Sequence, residues 1–157
     1  MRFSLETVLG RPAEEAWRAF DDPANLKVWQ PSLAAFEPLS GAPGEVGSTA
    51  RLTFQEGKMT IVLVETVTLR RPPEEFAAIF DSSHAHSTVH NRFIDLGDGR
   101  TRWVMDLEFK FKGMLKLLGP ALRGQVERRM HEDVARFRAA LERGDFDGPI
   151  SPSEGVS

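Results

Sequence analysis

The sequence predicts an α+β fold in which an antiparallel sheet of about six to seven strands wraps around one long C-terminal helix. Three observations support this fold class. Apolar residues recur at steps of three and four between residues 120 and 143, as they do on one face of a helix. Segments with the alternation typical of strands occupy most of residues 33–111. Two short helical segments follow a first strand near the N-terminus, so helices and strands are grouped separately along the chain.

The long helix is predicted over Pro120–Arg143. Its apolar positions form one stripe opposite a charged face: Leu122, Val126, Met130, Val134, Phe137 and Leu141. Pro120 suits the first position of a helix, where no amide donor is needed, and Gly144 suits the residue that follows the last turn. A stripe of this length needs a broad apolar partner, which the strands provide.

The remaining elements follow from alternation and from turn residues. Two short helices are predicted over Pro12–Phe20 and Ala24–Trp29. The predicted strands are Phe3–Leu9, Leu33–Leu39, Thr49–Gln55, Met59–Leu69, Glu75–Phe80, His86–Leu96 and Thr101–Phe111. Pro38 indicates that the second of these is an edge strand. Residues 1–143 therefore form one domain, and we expect residues 144–157, which have little apolar content, to be a flexible tail.

Composition excludes several classes of function. The 157-residue chain has a formal net charge of −3, which gives no reason to propose a nucleic-acid or anionic-membrane partner. It contains no cysteine, so thiolate catalysis and cysteine-based metal sites are excluded. No apolar run is long enough for a membrane span, and the first residues lack the apolar core of a signal peptide. We therefore expect a cytoplasmic monomer or homodimer without a cofactor or an integral membrane segment.

Several segments resemble one known superfamily. They are RPAEEAWRAFDDPANLKVWQP after the first strand, the loop SGAPGEVGS, the hairpin DGRTRW and the terminal amphipathic helix. Together they resemble the START, polyketide cyclase and birch-pollen-allergen superfamily over residues 3–142. The resemblance implies a helix-grip fold with a hydrophobic cavity between the sheet and the helix. Members include lipid and sterol carriers, polyketide cyclases, ubiquinone-binding proteins and co-chaperone modules, so the fold alone does not select a function.

The dipeptide Asp98-Gly99 predicts a two-residue turn between the last two strands. This register pairs Arg92 with Met105, His90 with Leu107, and His86 with Phe111. Paired residues share a face, and the apolar face of the last strand must meet the long helix, so the three polar residues are predicted to point inward. A three-residue loop would reverse this arrangement and place Val89 and Phe93 inside.

The predicted binding site lies on this inner face. Glu65 is the only charged residue predicted on the inner face of its strand, where it either pairs with Arg92 or leaves Arg92 free for an anionic ligand. The predicted ligand-binding residues are Trp29, Glu65, His86, His90, Arg92, Trp103, Met105, Leu107, Leu118 and Leu122. His86 and His90 are roughly 13 Å apart along a strand, too far to share one metal ion. No metal site is therefore predicted. No motif for Ser-His-Asp catalysis and no nucleophile elbow is present, so no catalytic residue is predicted.

Three functions are compatible with this pattern. The first is a non-catalytic protein that binds a small hydrophobic molecule, such as a lipid, a polyketide or an aromatic compound, with a polar or acidic end. The second is a cyclase- or dehydratase-like enzyme in which His90 is the acid–base and Arg92 polarises a carbonyl. The third is a protein-interaction or co-chaperone module with an exposed apolar patch. We expect the first, because isolated polar groups on an apolar concave face suit an anchored ligand.

Overall fold

The computed structural model describes residues 1–147, which form a seven-stranded antiparallel sheet with helices on its concave side. The strands are β1 Arg2–Leu9, β2 Leu33–Ser40, β3 Thr49–Glu56, β4 Met59–Arg71, β5 Glu75–Asp81, β6 Ala85–Asp95 and β7 Thr101–Phe111. The helices are α1 Ala13–Asp21, α2 Leu26–Trp29 and α3 Leu115–Arg143, and a 3-10 turn at Pro23–Asn25 precedes α2. The predicted helix-grip architecture is confirmed.

The sheet has the strand order β1-β7-β6-β5-β4-β3-β2. From β2 to β7 each strand pairs with the next one in sequence, whereas β1 pairs with β7 at the far edge. The strand that contains Pro38 is an edge strand, as predicted, because an edge position tolerates the missing amide donor. Within the described residues, no helix combines the length and the apolar character needed to cross a membrane.

Helix α3 begins five residues earlier than predicted. Its first turn is built by the amides of Lys116 and Leu117, which donate to the carbonyls of Gly113 and Met114. Pro120 therefore lies inside the helix, close to its start. The predicted end is confirmed: Gly144 has a φ of +81°, and the amide of the residue after it donates to the carbonyl of Ala140 at 2.9 Å.

The two halves of α3 pack differently. In the C-terminal half, Val134, Phe137 and Leu141 are buried against an aromatic cluster, and the Phe137 ring lies 4.9 Å from that of Trp103. In the N-terminal half, the residues on the sheet side are only partly buried: Leu115, Leu122 and Val126. The helix is therefore anchored to the domain by its C-terminal half, and its N-terminal half covers the sheet less closely.

The first residues of the predicted flexible tail pack on the domain. Phe146 is partly buried, and its ring lies 5.3 Å from that of Phe137. Asp147 lies 3.6 Å from the guanidinium of Arg11. The left-handed turn at Gly144 reverses the chain and brings these side chains back to the body. The remainder of the predicted tail, residues 148–157, lies outside the described residues.

Candidate ligand-binding site

The hairpin between β6 and β7 has a three-residue loop. Asp95 pairs with Thr101, and the Leu96 amide donates to the Arg100 carbonyl at 2.9 Å. The predicted two-residue register is therefore wrong by one residue, and the three-residue alternative is correct. The glycine on each side of Asp98 makes this loop possible without strain. Gly97 and Gly99 adopt φ angles of +80° and +82°, so the aspartate avoids the left-handed conformation that a type I′ turn would impose on it.

This register places three predicted site residues on the outer face of the sheet. Each contacts a carboxylate there: His86 Nδ1 lies 3.3 Å from Asp81, His90 Nε2 lies 2.8 Å from Glu75, and Arg92 Nη2 lies 3.0 Å from Asp106. Hydrogen bonds from the histidine at position 90 and from Arg71 lower the pKa of Glu75. The predicted pair between Arg92 and Glu65 does not form. The predicted arrangement, in which His90 is an acid–base and Arg92 a cation inside the cavity, is therefore wrong.

The inner face of β6 carries a different set of residues: Ser87, Val89, Asn91 and Phe93. Asn91 is 3% exposed, and its Oδ1 accepts a hydrogen bond of 3.0 Å from Trp103 Nε1. This buried amide satisfies a tryptophan donor in the middle of the aromatic cluster. Neither Asn91 nor Ser87 is among the predicted site residues, although the three-residue register places both on the inner face.

Glu65 lies on the inner face of β4, as predicted. It pairs with Ala50 on β3 and with Phe80 on β5, so its cross-strand neighbours are apolar. Among the described residues, none donates a hydrogen bond or forms a salt bridge to its carboxyl. Burial raises the pKa of Glu65 from 4.5 to about 7. Near neutral pH this side chain is therefore present in both its protonated and its ionised form.

The surroundings of Glu65 are mainly apolar. A buried cluster of Leu33, Ala50 and Leu52 packs with partly buried Leu26, Phe36, Phe54 and Phe80. A second polar group, the hydroxyl of Ser87, occupies the same cross-strand row, because Phe80 pairs with both Glu65 and Ser87. Two strand spacings separate the serine from the carboxyl, roughly 10 Å. The row thus presents two polar side chains on an otherwise apolar surface.

A register shift in β4 brings a second charge to the inner side. Val67 pairs with Ala78 and Leu69 pairs with Ala77, so one extra residue of β4 is accommodated between them. Beyond the shift, Leu69 faces outward and Arg70 faces inward. The prediction that Glu65 is the only charge on the inner face of this strand is therefore wrong. Arg70 is already neutralised, because its Nη2 donates to Asp21 at 2.8 Å.

A family model matches residues 1–142 and carries the description "Polyketide cyclase / dehydrase and lipid transport". The chain belongs to this family. The match spans the whole sheet and nearly all of α3, and it agrees with the superfamily that the sequence resembles. No curated protein sequence matches the chain.

Several solved structures share the fold of this family member, although their sequences have low identity to it. The Zhui aromatase/cyclase from Streptomyces sp. R1128 is 17% identical, with a TM-score of 0.79 over 92% of this chain and 94% of that chain. A START superfamily protein from Mycobacterium smegmatis is 15% identical, with a TM-score of 0.76 over 90% and 97%. A conserved protein from Geobacillus kaustophilus is also 15% identical, with a TM-score of 0.76 over 92% and 97%.

The other predicted site residues of the family member differ in how deeply they are buried. Trp29, Trp103, Met105 and Leu107 are fully buried in the aromatic core. Leu122 is partly buried on the sheet side of α3, and Leu118 is largely in solvent. The indole Nε1 of Trp29 is buried and has no hydrogen-bond partner among the described residues. Four predicted site residues thus belong to one buried cluster, namely Trp29, Trp103, Met105 and Leu107. Leu118 lies outside this cluster.

A groove of about 840 Å³ lies on the outer face of the sheet. Its polar lining residues include His90 and Asp106, which are already paired with Glu75 and Arg92. A ligand in this open groove would have to compete with these ion pairs. The inner face offers a carboxyl without a partner in the described part of the chain, and it is the better candidate site.

Proposed function

We propose that the protein binds a small hydrophobic molecule with a neutral hydrogen-bonding group, such as a carbonyl or a hydroxyl. The binding space lies between the inner face of the sheet and the N-terminal half of α3. The observation that carries this proposal is Glu65, a carboxyl among apolar neighbours with no partner in residues 1–147. The family description, which includes lipid transport and polyketide chemistry, supports an apolar ligand.

The protonation of Glu65 selects the ligand's polar group. Ionising a buried carboxyl without a partner is costly, and the raised pKa of about 7 reflects that cost. The protonated form donates a hydrogen bond to a carbonyl or hydroxyl oxygen. The ionised form repels a ligand carboxylate. A neutral ligand is therefore favoured over an acid. An inward Arg92 would have given the opposite preference, for an anionic ligand.

The walls of the proposed site come from both sides of the fold. Leu122 and Val126 are partly buried on the sheet side of α3, which is the exposure expected for residues that complete their packing against a ligand. Leu118 would lie at the mouth. At the packed end, Trp29, Trp103, Met105 and Leu107 would limit the length of the ligand, and the unpaired Nε1 of Trp29 supplies a second donor.

Calorimetric titration with decanol and decanoate tests this proposal. At pH 8 we expect wild type to bind decanol at least tenfold more tightly than decanoate, because like charges repel strongly when they are partly desolvated. Glu65→Gln should bring the two affinities close together. Glu108→Gln, on the outer face and paired with Arg2 in wild type, is the matched control and should keep the wild-type preference.

Two outcomes would contradict the proposal. If neither probe binds, and native mass spectrometry of the purified protein detects no apolar molecule, the binding function is wrong. If both probes bind equally well to wild type and to Glu65→Gln, the protein binds apolar molecules but Glu65 does not select their polar group.

A second candidate function is a cyclase- or dehydratase-like activity at the same site. One observation favours it: a carboxyl with a pKa of about 7 can both donate and accept a proton near neutral pH. Glu65, rather than His90, would be the acid–base. Glu65→Gln should then abolish turnover of a polyketide-like substrate while its binding is retained. Turnover that survives in this variant would exclude Glu65 as the catalytic group.

A further inference from the structure

The start of α3 exposes large apolar side chains. Met114 is 85% exposed, Leu117 is 84% exposed and Leu118 is 53% exposed. Their spacing of three and four residues places them on one side of the helix. We call these three residues the apical surface. Leu118 lies one helical turn before the partly buried Leu122, so the apical surface continues the sheet-side stripe of α3 to the start of the helix, where these side chains stay largely exposed.

The apical surface lies in the most basic part of the chain. Residues 109–126 contain no aspartate or glutamate but include four basic residues: Lys110, Lys112, Lys116 and Arg123. This local excess of positive charge contrasts with the net charge of −3 for the whole chain. The net charge of the whole chain gives no reason to propose an anionic membrane partner, but it does not describe the charge at this end of the molecule.

Neighbouring carboxylates reduce this charge without cancelling it. Lys112 Nζ lies 2.8 Å from Asp81, Arg123 Nε lies 2.8 Å from Glu127, and Lys110 Nζ is 3.9 Å from Glu108. Arg2 contributes a fifth basic side chain close to Arg123, whose Nη2 lies 3.5 Å from the Arg2 carbonyl. Five basic side chains thus face three acidic ones. Within the described residues, Lys116 has no acidic partner.

We propose that the apical surface docks on an anionic lipid membrane. The three apolar side chains would enter the boundary between headgroups and acyl chains, and the neighbouring lysines would contact lipid phosphates. Charge favours this occupant over a second copy of the chain, because a two-fold contact would bring identical basic patches together. The inference goes beyond the proposed ligand and does not depend on it. Docking would place the N-terminal half of α3 at the lipid surface.

Vesicle co-sedimentation tests the proposal with the full chain. We expect binding to phosphatidylcholine vesicles that contain phosphatidylserine, weak binding to phosphatidylcholine alone, and a loss of binding as salt is raised. Leu117→Ser should weaken binding roughly tenfold, because it removes one buried leucine from the lipid. Lys116→Glu should weaken it by a similar factor, because it removes one attractive charge and adds a repulsive one.

Val46→Ser is the matched control. Val46 is 61% exposed in the loop between β2 and β3, away from the basic segment, and its replacement should leave vesicle binding unchanged. Equal binding to neutral and anionic vesicles would overturn the proposal, as would equal losses for Leu117→Ser and Val46→Ser. A dimer that dissociates in Leu117→Ser, detected by light scattering without any vesicle binding, would also overturn it and assign the surface to a second copy.

Discussion

Phe93 lies directly opposite Trp103 across β6 and β7, and their rings stack with centroids 5.6 Å apart and planes inclined by 13°. This pair sets the register of the hairpin. With Phe93 inside, its neighbours two residues away on β6 also point inward, and the residues between them point outward. The pairing therefore places Asn91 beside the aromatic core and His90 and Arg92 on the outer face.

The register predicts a large stability difference between adjacent residues on β6. Asn91→Leu should destabilise the protein by about 2 kcal/mol, because it leaves the buried Nε1 of Trp103 without its acceptor. His90→Leu should cost less than about 1 kcal/mol, because His90 is part of a partly exposed outer-face pair. Urea denaturation measures both variants. A larger loss for His90→Leu would contradict the register.

The raised pKa of Glu65 predicts a dependence of stability on pH. Between about pH 4.5 and pH 7 the folded protein retains a proton on Glu65 that the unfolded chain has released. This contribution to stability therefore falls as pH rises through that window and is constant above it. The total fall is at most about 3 kcal/mol, and less if solvent enters the site.

Glu65→Gln removes this ionisation. The variant should be more stable than wild type at pH 8 by up to the same amount, about 3 kcal/mol, and equally stable at pH 4.5. Urea denaturation at both pH values measures the difference. Glu14→Gln, an exposed position on α1, is the control and should show no such dependence. If the two variants behave alike at pH 8, the ionised Glu65 has a partner or is hydrated.

The two halves of α3 pack differently, so a valine-to-aspartate substitution should have different effects on stability in each half. Val134→Asp should unfold the domain, with a loss of about 4 kcal/mol or more, because Val134 is buried in the core. Val126→Asp should leave a cooperatively folded protein, with a loss below about 2 kcal/mol, because Val126 is only partly buried. Circular dichroism during thermal unfolding distinguishes the two. Unfolding of both variants would show that α3 packs equally along its length.

The contact between Phe146 and Phe137 predicts that the chain just after α3 contributes to stability. Phe146→Ala should lower the free energy of unfolding by about 1–2 kcal/mol, because a partly buried aromatic ring is lost from the core. A chain that ends at Asp147 should keep the wild-type melting temperature, since residues 148–157 have little apolar content. No effect of Phe146→Ala would mean that the contact contributes nothing in solution.

The sequence by itself determined the elements and their order. The alternation of apolar residues located all seven strands, and the steps of three and four located most of α3. Pro38 identified an edge strand, and Gly144 identified the end of α3. These features follow from local constraints: side-chain periodicity, the missing donor of proline and the free φ of glycine act over a few residues. The superfamily was recognisable for the same reason, because its motifs are turns and packing positions.

Tertiary structure decided the register and therefore the candidate site. The two hairpin turns compatible with Gly97-Asp98-Gly99 differ by one residue, and each satisfies the local turn chemistry. The choice depends on which set of β6 side chains is buried. The observed register buries Phe93 against Trp17 and Trp103, whereas the alternative would bury the cationic Arg92 in its place. The contact with Trp17 comes from α1, which is distant in sequence, so no local pattern on β6 could specify it.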